Sequence, residues 1–267
     1  MPSVFEAFRL DGKVALITGG ARHLGYDMAE ALAEAGCHLV ITSRQLSHAQ
    51  DAAEKLRADF QVDVLPLALD QRVFPMIEET AQAAHAWKGH LDILINNAGG
   101  GAGQGATHLF ERPAEAVVEM IATNLIGTLH CCQVVGRLMA QQGQGKIINI
   151  ASVAGLVGRD RRMYAQLGTS GQAVDYAAAK AGIIGMTRDL AALLGPLGIH
   201  VNAISPGGFA RELPANFVEA YSDRTPLGRM GRDGIDLKGA ALFLASPASD
   251  YVHGHNLVVD GGFSIWQ

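Results

Sequence analysis

Short apolar runs rich in β-branched residues alternate along the chain with longer segments of amphipathic helical spacing. The apolar runs predict seven strands, at Val14–Thr18, His38–Thr42, Val62–Leu67, Leu91–Asn96, Lys146–Ala151, Ile199–Ser205 and Asn256–Asp260. The segments between them predict helices at Leu24–Gly36, Ser47–Phe60, Val73–Trp87, Pro113–Gln141 and Val174–Leu194, with helical pieces continuing to Ala245. Because strands that alternate with helices pair in parallel, the pattern predicts an α/β fold: a doubly wound seven-stranded parallel sheet with helices on both faces.

The chain shows no linker, internal repeat or low-complexity segment, so residues 1–267 are predicted to form a single domain. Ligands of such sheets bind at the carboxyl ends of the strands, near the point where the strand order reverses. Of the 267 residues, 32 are glycine, well above the usual share of about 7%. We therefore expect glycines at turns and at places where the backbone approaches a ligand closely.

Charge and cysteine content exclude several classes of protein. The net charge of −5 gives no basic surface for nucleic acid. Cys37, Cys131 and Cys132 have neither metal-binding nor redox spacing, so we expect reduced thiols in a cytoplasmic protein. The first residues do not look like a signal peptide, and no apolar run approaches the ~18–20 residues of a membrane span. His253 and His255 lack a third ligand at metal-binding spacing, so we predict no metal site.

Two glycine-containing loops follow predicted strands. The first strand leads into Thr18-Gly19-Gly20-Ala21-Arg22-His23-Leu24-Gly25 and then a helix, an arrangement that directs backbone N–H groups at a dinucleotide pyrophosphate. The fourth strand leads into Asn96-Asn97-Ala98-Gly99, followed by Gly100, Gly101, Gly103 and Gly105. Small residues let this chain pass a flat ligand, and the Asn side chains can tie loop backbone between neighbouring strands. A plain tight turn and a hinge without ligand are the alternatives for the two loops.

The end of the second strand predicts the cofactor. An acidic residue there would bind the ribose 2′-hydroxyl of NAD, whereas Ser43 carries no charge and Arg44 can pair with a 2′-phosphate. Arg22, in the first loop, can reach the same phosphate. We therefore expect NADP(H) as the preferred cofactor, with NAD(H) as the alternative; two exposed arginines without a ligand would have the same sequence.

A tyrosine and a lysine four residues apart lie near the start of a predicted helix and share one of its faces. An ammonium near a phenol lowers the phenol pKa, which makes Tyr176 beside Lys180 a candidate general acid/base. Ser152 follows the fifth strand, where its hydroxyl can bond a substrate carbonyl. Asn124 lies within the helix after the fourth strand and can hold a water of a proton relay. Each residue alone is weak evidence, and only the combination indicates catalysis.

That combination resembles the short-chain dehydrogenase/reductase family over essentially the whole chain. The matching elements are TGGARHLG (18–25), NNAG (96–99), Asn124, Ser152, Tyr176 with Lys180, SPGG (205–208) and the stretch 225–262. The resemblance implies a Rossmann-like fold, NAD(P)-linked interconversion of carbonyls and alcohols, and a homotetramer built partly from the two long helices. It is closest to the gluconate 5-dehydrogenase-like branch of that family.

The resemblance also implies roles for individual residues. Tyr176 is the acid/base, Lys180 binds the nicotinamide ribose and lowers the tyrosine pKa, Ser152 orients the carbonyl, and Asn124 supports a proton relay. Asp70 matches the adenine contact, and the nicotinamide side is lined by Pro206, Gly207 and Phe209. The cofactor loops contribute Gly19, Arg22, His23, Leu24, Gly25, Asn97, Ala98 and Gly99.

The sequence departs from the family pattern at three places. His23 replaces the middle glycine of the first loop, a change that the turn can survive because His tolerates positive φ better than most residues. Ser152 and Tyr176 are 24 positions apart, about twice the family's usual gap, because of an insertion around Gly158–Val174. Tyr164 stands at the usual spacing, but Gly168 occupies the lysine position, so Tyr164 is rejected as the acid/base. Arg211 stands near the position of a family threonine whose contact with the cofactor amide is therefore in doubt.

The second and third departures suggest an anionic substrate. Four arginines could offer a guanidinium to a carboxylate or phosphate: Arg159, Arg161, Arg162 and Arg211. Surface or subunit contacts are the alternative for each of them. The leading hypothesis is an NADP(H)-dependent oxidoreductase acting on a small hydroxylated, anionic carbonyl compound such as a sugar acid. A 3-oxoacyl-carrier-protein reductase is the alternative within enzymes, and a non-catalytic nucleotide-binding regulator is the alternative outside them.

Overall fold

Seven parallel strands form the central sheet of the computed structural model, which describes residues 3–100, 106–165, 168 and 170–265. The strands are β1 (Val14–Thr18), β2 (His38–Ser43), β3 (Val64–Ala68), β4 (Ile93–Asn96), β5 (Gly145–Ile150), β6 (Ile199–Pro206), the two-residue pair β7 (Phe209–Ala210) and β8 (Gly231–Arg232), and β9 (Asn256–Val259). The seven-stranded sheet has the order β3-β2-β1-β4-β5-β6-β9, and β7 pairs with β8 outside it. The strand order reverses between β1 and β4, which places the ligand-binding edge there.

Helices cover both faces of the sheet, as the sequence predicts. They are α1 (His23–Glu34), α2 (Leu46–Phe60), α3 (Phe74–Lys88), α4 (Ala114–Ile121), α5 (Gly127–Gln142), the short α6 (Arg162–Ala165), α7 (Val174–Leu194), α8 (Ala215–Ser222) and α9 (Lys238–Ala245). One core cluster joins α1, α2 and α9 to the sheet through residues such as Met28 and Leu32, and a second joins α3, α5 and α7 to the opposite face. The parallel strands are therefore apolar on both sides.

The predicted single helix Pro113–Gln141 is interrupted. Five residues between α4 and α5, Ala122–Ile126, form a π-helical turn, and Asn124 lies at its centre. The Asn124 side-chain amide donates to the Met120 carbonyl at 3.1 Å, and the Asn124 backbone carbonyl accepts from Thr128 Oγ1 at 3.2 Å. A π turn of this kind is frequent at functional sites, and periodicity cannot predict it.

The continuous helical stretch 114–142 is long and apolar enough to cross a membrane by length and composition alone. Core helices of soluble proteins meet the same criterion, so this is weak evidence. In this structure, α5 packs against α3 and β5.

Candidate functional site

The carboxyl ends of the central strands open on a cleft of about 890 Å³. Residues predicted from the sequence line it from end to end. They are Gly19, Arg22, His23, Leu24, Gly25, Ser43, Arg44, Asp70, Asn97, Ala98, Gly99, Asn124, Ser152, Arg159, Tyr176, Lys180, Pro206, Gly207, Phe209 and Arg211. Arg161 and Arg162 are not among the lining residues.

The first glycine-rich turn is built for close approach. Gly19 has φ +63°, and His23, the first residue of α1, has φ +56°. An added Cβ at Gly25 would lie 2.5 Å from Asn97 Nδ2 and closer still to the Gly19 carbonyl oxygen, so only glycine fits there. Burial, followed by the charges of Arg211 and Arg22, lowers the pKa of His23. His23 therefore adopts the left-handed backbone conformation at this position of the turn, where the family pattern has a glycine.

The loop after β4 is tied to the first turn by side chains, as the sequence analysis expects. Asn97 Nδ2 donates to the carbonyls of Thr18 at 3.0 Å and Gly19 at 3.1 Å, while Thr18 Oγ1 accepts the N–H groups of Asn97 and Ala98. Gly99 has φ +150°, and a Cβ there would meet Asn124 Oδ1 at 2.5 Å. Gly101, Gly103 and Gly105 lie outside the described residues.

Two arginines, Arg22 and Arg44, line the far end of the cleft. Neither Arg22 nor Arg44 forms an ion pair with Asp or Glu in the part of the chain that the structure describes, since the ion pairs found there involve other cations. Asp70 lies nearby and is held by Arg72 at 2.5 Å, which lowers the pKa of the Asp70 carboxyl. The cleft therefore ends in positive charge that an anionic ligand group can neutralise.

The catalytic candidates meet at the opposite end. Lys180 is buried and donates from Nζ to the Ile150 carbonyl at 2.7 Å, with its ammonium 5.7 Å from the centre of the Tyr176 ring. Burial lowers the pKa of Lys180 to about 8. Ser152 Oγ accepts the N–H of Ala154 at 3.1 Å, and the Ser152 hydroxyl lies close enough to Tyr176 to act on the tyrosine pKa, which it lowers. The insertion thus leaves Ser152 and Tyr176 in contact.

One expectation about Tyr176 is wrong. The spacing of Tyr176 and Lys180 predicts a lowered tyrosine pKa, yet the pKa of Tyr176 is raised because burial outweighs the opposing contributions of Ser152 and Arg159. The physical reason is that both side chains are removed from water, and desolvation disfavours the charged form of each. The Lys180 ammonium is engaged by a backbone carbonyl rather than by the phenol.

Asn124 holds the loop after β4 through paired bonds. Its Oδ1 accepts the Gly100 N–H at 3.0 Å, and its Nδ2 donates to the Gly100 carbonyl at 3.2 Å. The side chain is 2% exposed, so it is not the exposed mid-helix residue that sequence alone makes common. The π turn places it in the cleft beside the catalytic candidates.

The four arginines suggested for substrate binding separate into different roles. Arg159 lines the cleft, while Arg161 donates to the carbonyls of Ser170 at 2.6 Å and Gln172 at 2.7 Å and closes the inserted segment. Arg162 pairs with Asp160 at 2.8 Å, and its side chain is 85% exposed. The expectation that Arg161 and Arg162 reach the substrate is therefore wrong. Arg161 is engaged in closing the inserted segment and Arg162 is exposed to solvent, so neither lines the cleft.

Arg211 reaches the cleft, but carboxylates hold it. It pairs with Asp27 at 3.4 Å and, more closely, with Asp233. Gly234 N–H donates to the same Asp27 carboxylate at 3.1 Å. Arg211 therefore ties the segment after β6 to α1, and its charge is compensated within the chain.

An aromatic wall at the substrate end was missed from the sequence. It comprises Tyr164, Phe217, Tyr221 and Phe263, with Tyr221 stacked on Phe263 at 4.4 Å between ring centres. The Tyr221 hydroxyl accepts the Gly208 N–H at 2.6 Å, and burial raises the pKa of Tyr221 to about 12. The spacing of Phe217 and Tyr221, four residues apart on α8, is the signal that could have indicated a common face.

No metal centre is formed by the described residues, among which no group of three His, Cys, Asp or Glu side chains is suitably placed. His253 bonds the Ala191 carbonyl at 2.7 Å and the Val201 N–H at 3.2 Å, a structural role in its loop.

The cleft fits a dinucleotide. Its bare glycine turn leaves no space for a side chain at Gly25, its volume suits a large extended ligand, and Arg22 and Arg44 offer charge at the end opposite the catalytic candidates. Each feature is a property of the chain's own residues.

Comparisons with known proteins agree with this geometry. Residues 19–264 match the family described as enoyl-(acyl carrier protein) reductase. The 5-keto-D-gluconate 5-reductase of Escherichia coli strain K12 is 35% identical over 97% of this chain and 98% of its own length. The structure of a gluconate 5-dehydrogenase from Burkholderia cenocepacia J2315 in complex with NADP and tartrate is 35% identical, with a TM-score of 0.87 over 99% of this chain and 100% of that one. A 7α-hydroxysteroid dehydrogenase complexed with NADH is 28% identical, with a TM-score of 0.87 over 98% of both chains.

Proposed function

The chain belongs to the short-chain dehydrogenase/reductase family and is an oxidoreductase acting on CH–OH groups, and from that premise we propose an NADP(H)-dependent enzyme for a small hydroxylated, anionic substrate such as a sugar acid. The observation that carries the proposal is the convergence of Ser152, Tyr176 and Lys180 at one end of a cleft whose other end holds Arg22 and Arg44.

A bound nicotinamide supplies or accepts the hydride at the substrate carbon. The chain's own residues handle the oxygen and its proton. In the proposed mechanism, Tyr176 donates the proton to the carbonyl oxygen during reduction, and Ser152 hydrogen-bonds that oxygen and holds it next to the phenol. Lys180 would hold the nicotinamide ribose, and the hydrogen bond from its Nζ to the Ile150 carbonyl keeps the side chain beside Tyr176. Asn124 supports the relay that returns a proton to the site.

The preference for NADP(H) rests on charge at the end of β2. Relatives bind NADP or NADH, so the family leaves the choice open. In this chain Ser43 is neutral, and within the described residues neither Arg22 nor Arg44 forms an ion pair with a carboxylate. A 2′-phosphate would gain charge-assisted hydrogen bonds there, whereas the 2′-hydroxyl of NAD would find no carboxylate.

The sugar-acid class is supported by two relatives. One is named for 5-keto-D-gluconate, and the other is a gluconate 5-dehydrogenase crystallised with tartrate.

We also propose a homotetramer, since apolar side chains stand exposed along α4, the π turn, α5 and α7, among them Val118, Ile126, Leu129 and Leu193.

One experiment tests the proposed function. Absorbance at 340 nm is followed for the purified enzyme with sugar acids, polyols and 3-oxoacyl thioesters, each with NADPH or NADP⁺ and with NADH or NAD⁺ in parallel. We expect the highest kcat/KM for an oxo or hydroxy acid with NADP(H). Equal or better activity with NAD(H) refutes the cofactor assignment, and preference for thioesters refutes the substrate class. Absence of turnover with every pair would instead indicate a non-catalytic nucleotide-binding protein.

A further inference from the structure

Arg159 is a half-buried cation in the cleft, and it has no acidic partner in the part of the chain that the structure describes. Its guanidinium donates to neutral oxygens: Gln172 Oε1 at 2.6 Å, the Gln172 carbonyl at 3.0 Å and the Ala173 carbonyl at 3.3 Å. Among the described residues no Asp or Glu lies within ion-pair distance of it, since the pairs on the inserted segment belong to Arg162 and Arg224, which share Asp160. The charge of Arg159 is therefore uncompensated.

Neighbouring arginines differ in this respect. Arg211 has two carboxylates, and the buried Arg112 pairs with Asp175 at 2.8 Å. Arg161 also bonds only carbonyls, but it is exposed, so water screens its charge. A charged guanidinium that is partly removed from water and has no opposite charge beside it lowers the stability of the folded protein. An anion that binds in the cleft would restore this stability by pairing with the guanidinium.

The geometry of the inserted segment fixes Arg159 next to the reacting groups. The three hydrogen bonds use three of the five N–H groups of the guanidinium and clamp it to the residues that lead into α7. At most two N–H groups are left, one on Nε and one on Nη1, and a carboxylate oxygen can accept a charge-assisted hydrogen bond from either of them. Arg159 and Tyr176 line the same cleft, and the charge of Arg159 acts to lower the pKa of Tyr176, so an anion bound to Arg159 lies near the phenol that transfers the proton.

We propose that Arg159 binds a carboxylate of the substrate, that Gln172 positions the guanidinium, and that this inserted segment makes the enzyme selective for oxo and hydroxy acids over neutral sugars. The proposal rests on the proposed function. It assigns the anion contact to one of the four arginines and assigns Gln172, which no sequence motif indicates, as its positioning residue. A phosphate is less suited to two remaining N–H groups, because its charge of nearly −2 at neutral pH calls for more donors.

The test compares substrates that differ only in the carboxylate. 5-Keto-D-gluconate is paired with L-sorbose, which carries the same ketone with a hydroxymethyl group in place of the acid. In Arg159→Gln we expect kcat/KM for the acid to fall about 10- to 150-fold, as for loss of a hydrogen bond to a charged group, with the neutral substrate changed less than threefold. Arg159→Lys should recover part of the loss, and Gln172→Ala should raise KM for the acid more than it lowers kcat. Arg162→Gln is the matched control, because that arginine lies in the same segment but is exposed, and it should match the wild type.

A binding experiment separates this proposal from the proposed function. Calorimetry measures D-gluconate and D-glucitol binding to wild type and Arg159→Gln, each in the presence of saturating NADPH, because an alcohol and the reduced cofactor form a complex that cannot turn over. Gluconate binding that is lost only in Arg159→Gln supports the carboxylate site even if no oxidation is found. Three results would overturn it. They are equal gluconate binding by both proteins, equal losses of kcat/KM for the acid and the neutral substrate in Arg159→Gln, and a higher affinity for glucose 6-phosphate than for gluconate. NADPH affinity should be the same in both proteins, which shows that the variant is folded.

Discussion

Gly25 in α1 offers a steric test of the dinucleotide turn. Alanine is favoured over glycine inside a helix by roughly 1 kcal/mol, so helix propensity alone predicts that Gly25→Ala is stabilising. The structure predicts the opposite, because the new Cβ would lie 2.5 Å from Asn97 Nδ2 and closer to the Gly19 carbonyl oxygen. Overpacking of this kind costs about 1–3 kcal/mol. The net change should be a loss of up to about 2 kcal/mol in the free energy of unfolding.

Gly136 in α5 is the matched control. An added Cβ there would lie 3.7 Å from the Leu194 side chain, an ordinary contact, so Gly136→Ala should gain roughly 1 kcal/mol. In urea unfolding, the changes in the free energy of unfolding of the two variants should therefore have opposite signs or differ by at least 1 kcal/mol. NADPH affinity, followed by nucleotide fluorescence, should fall at least tenfold in Gly25→Ala, since both neighbours of the new Cβ shape the turn, and should stay unchanged in Gly136→Ala.

Gains in stability of the same size in both variants, with unchanged NADPH affinity, would refute the reasoning. They would mean that the loop after β4 moves away from α1 at no cost, and that the hydrogen bonds of Asn97 to Thr18 and Gly19 do not fix the turn.

Four further predictions concern single side chains. Tyr176→Phe should lower kcat by about 10²- to 10⁴-fold with NADPH affinity unchanged, and full activity would remove Tyr176 from the mechanism. Burial lowers the pKa of Lys180 from 10.5 to about 8, so the unfolded chain binds this proton more tightly than the folded protein does. In urea melts, the free energy of unfolding of wild type relative to Lys180→Met should therefore rise by about 3 kcal/mol between pH 8 and 10.5. A pH-independent difference would contradict the buried ammonium. His23→Val should be less stable than His23→Gly by about 1–2 kcal/mol, because φ is +56° there; equal Tm values would argue against the left-handed backbone. Arg44→Ala should weaken NADPH binding at least tenfold and NADH binding less than twofold, whereas equal weakening would exclude a contact with the 2′-phosphate.

Local patterns predict the parts of this molecule that depend on neighbours in sequence. The alternation of apolar runs predicts the sheet to within one or two residues at most strand ends, and the glycine spacing predicts the turn that Gly19, His23 and Gly25 form. Tolerance of positive φ by histidine is a property of the residue, so the sequence alone indicates that the turn survives at His23.

Features that depend on burial or on distant partners are not predictable in this way. The raised pKa of Tyr176 follows from how little water reaches the ring, and spacing from Lys180 carries no information about that. Arg211 and Arg162 have the same sequence signal as Arg159, but Asp27, Asp233 and Asp160 decide which guanidinium is free for a ligand. The π turn at Asn124 likewise has no signature in hydrophobic periodicity.

The inserted segment between Ser152 and Tyr176 is closed at its base, since Arg159 and Arg161 both bond Gln172. The consequence concerns how such an enzyme can evolve. A loop that is fastened where it leaves and re-enters the fold can vary in length and composition while the two catalytic residues at its ends keep their contact. Exchange of this one segment between related chains is therefore a route by which substrate range changes while the proton-transfer chemistry is inherited intact.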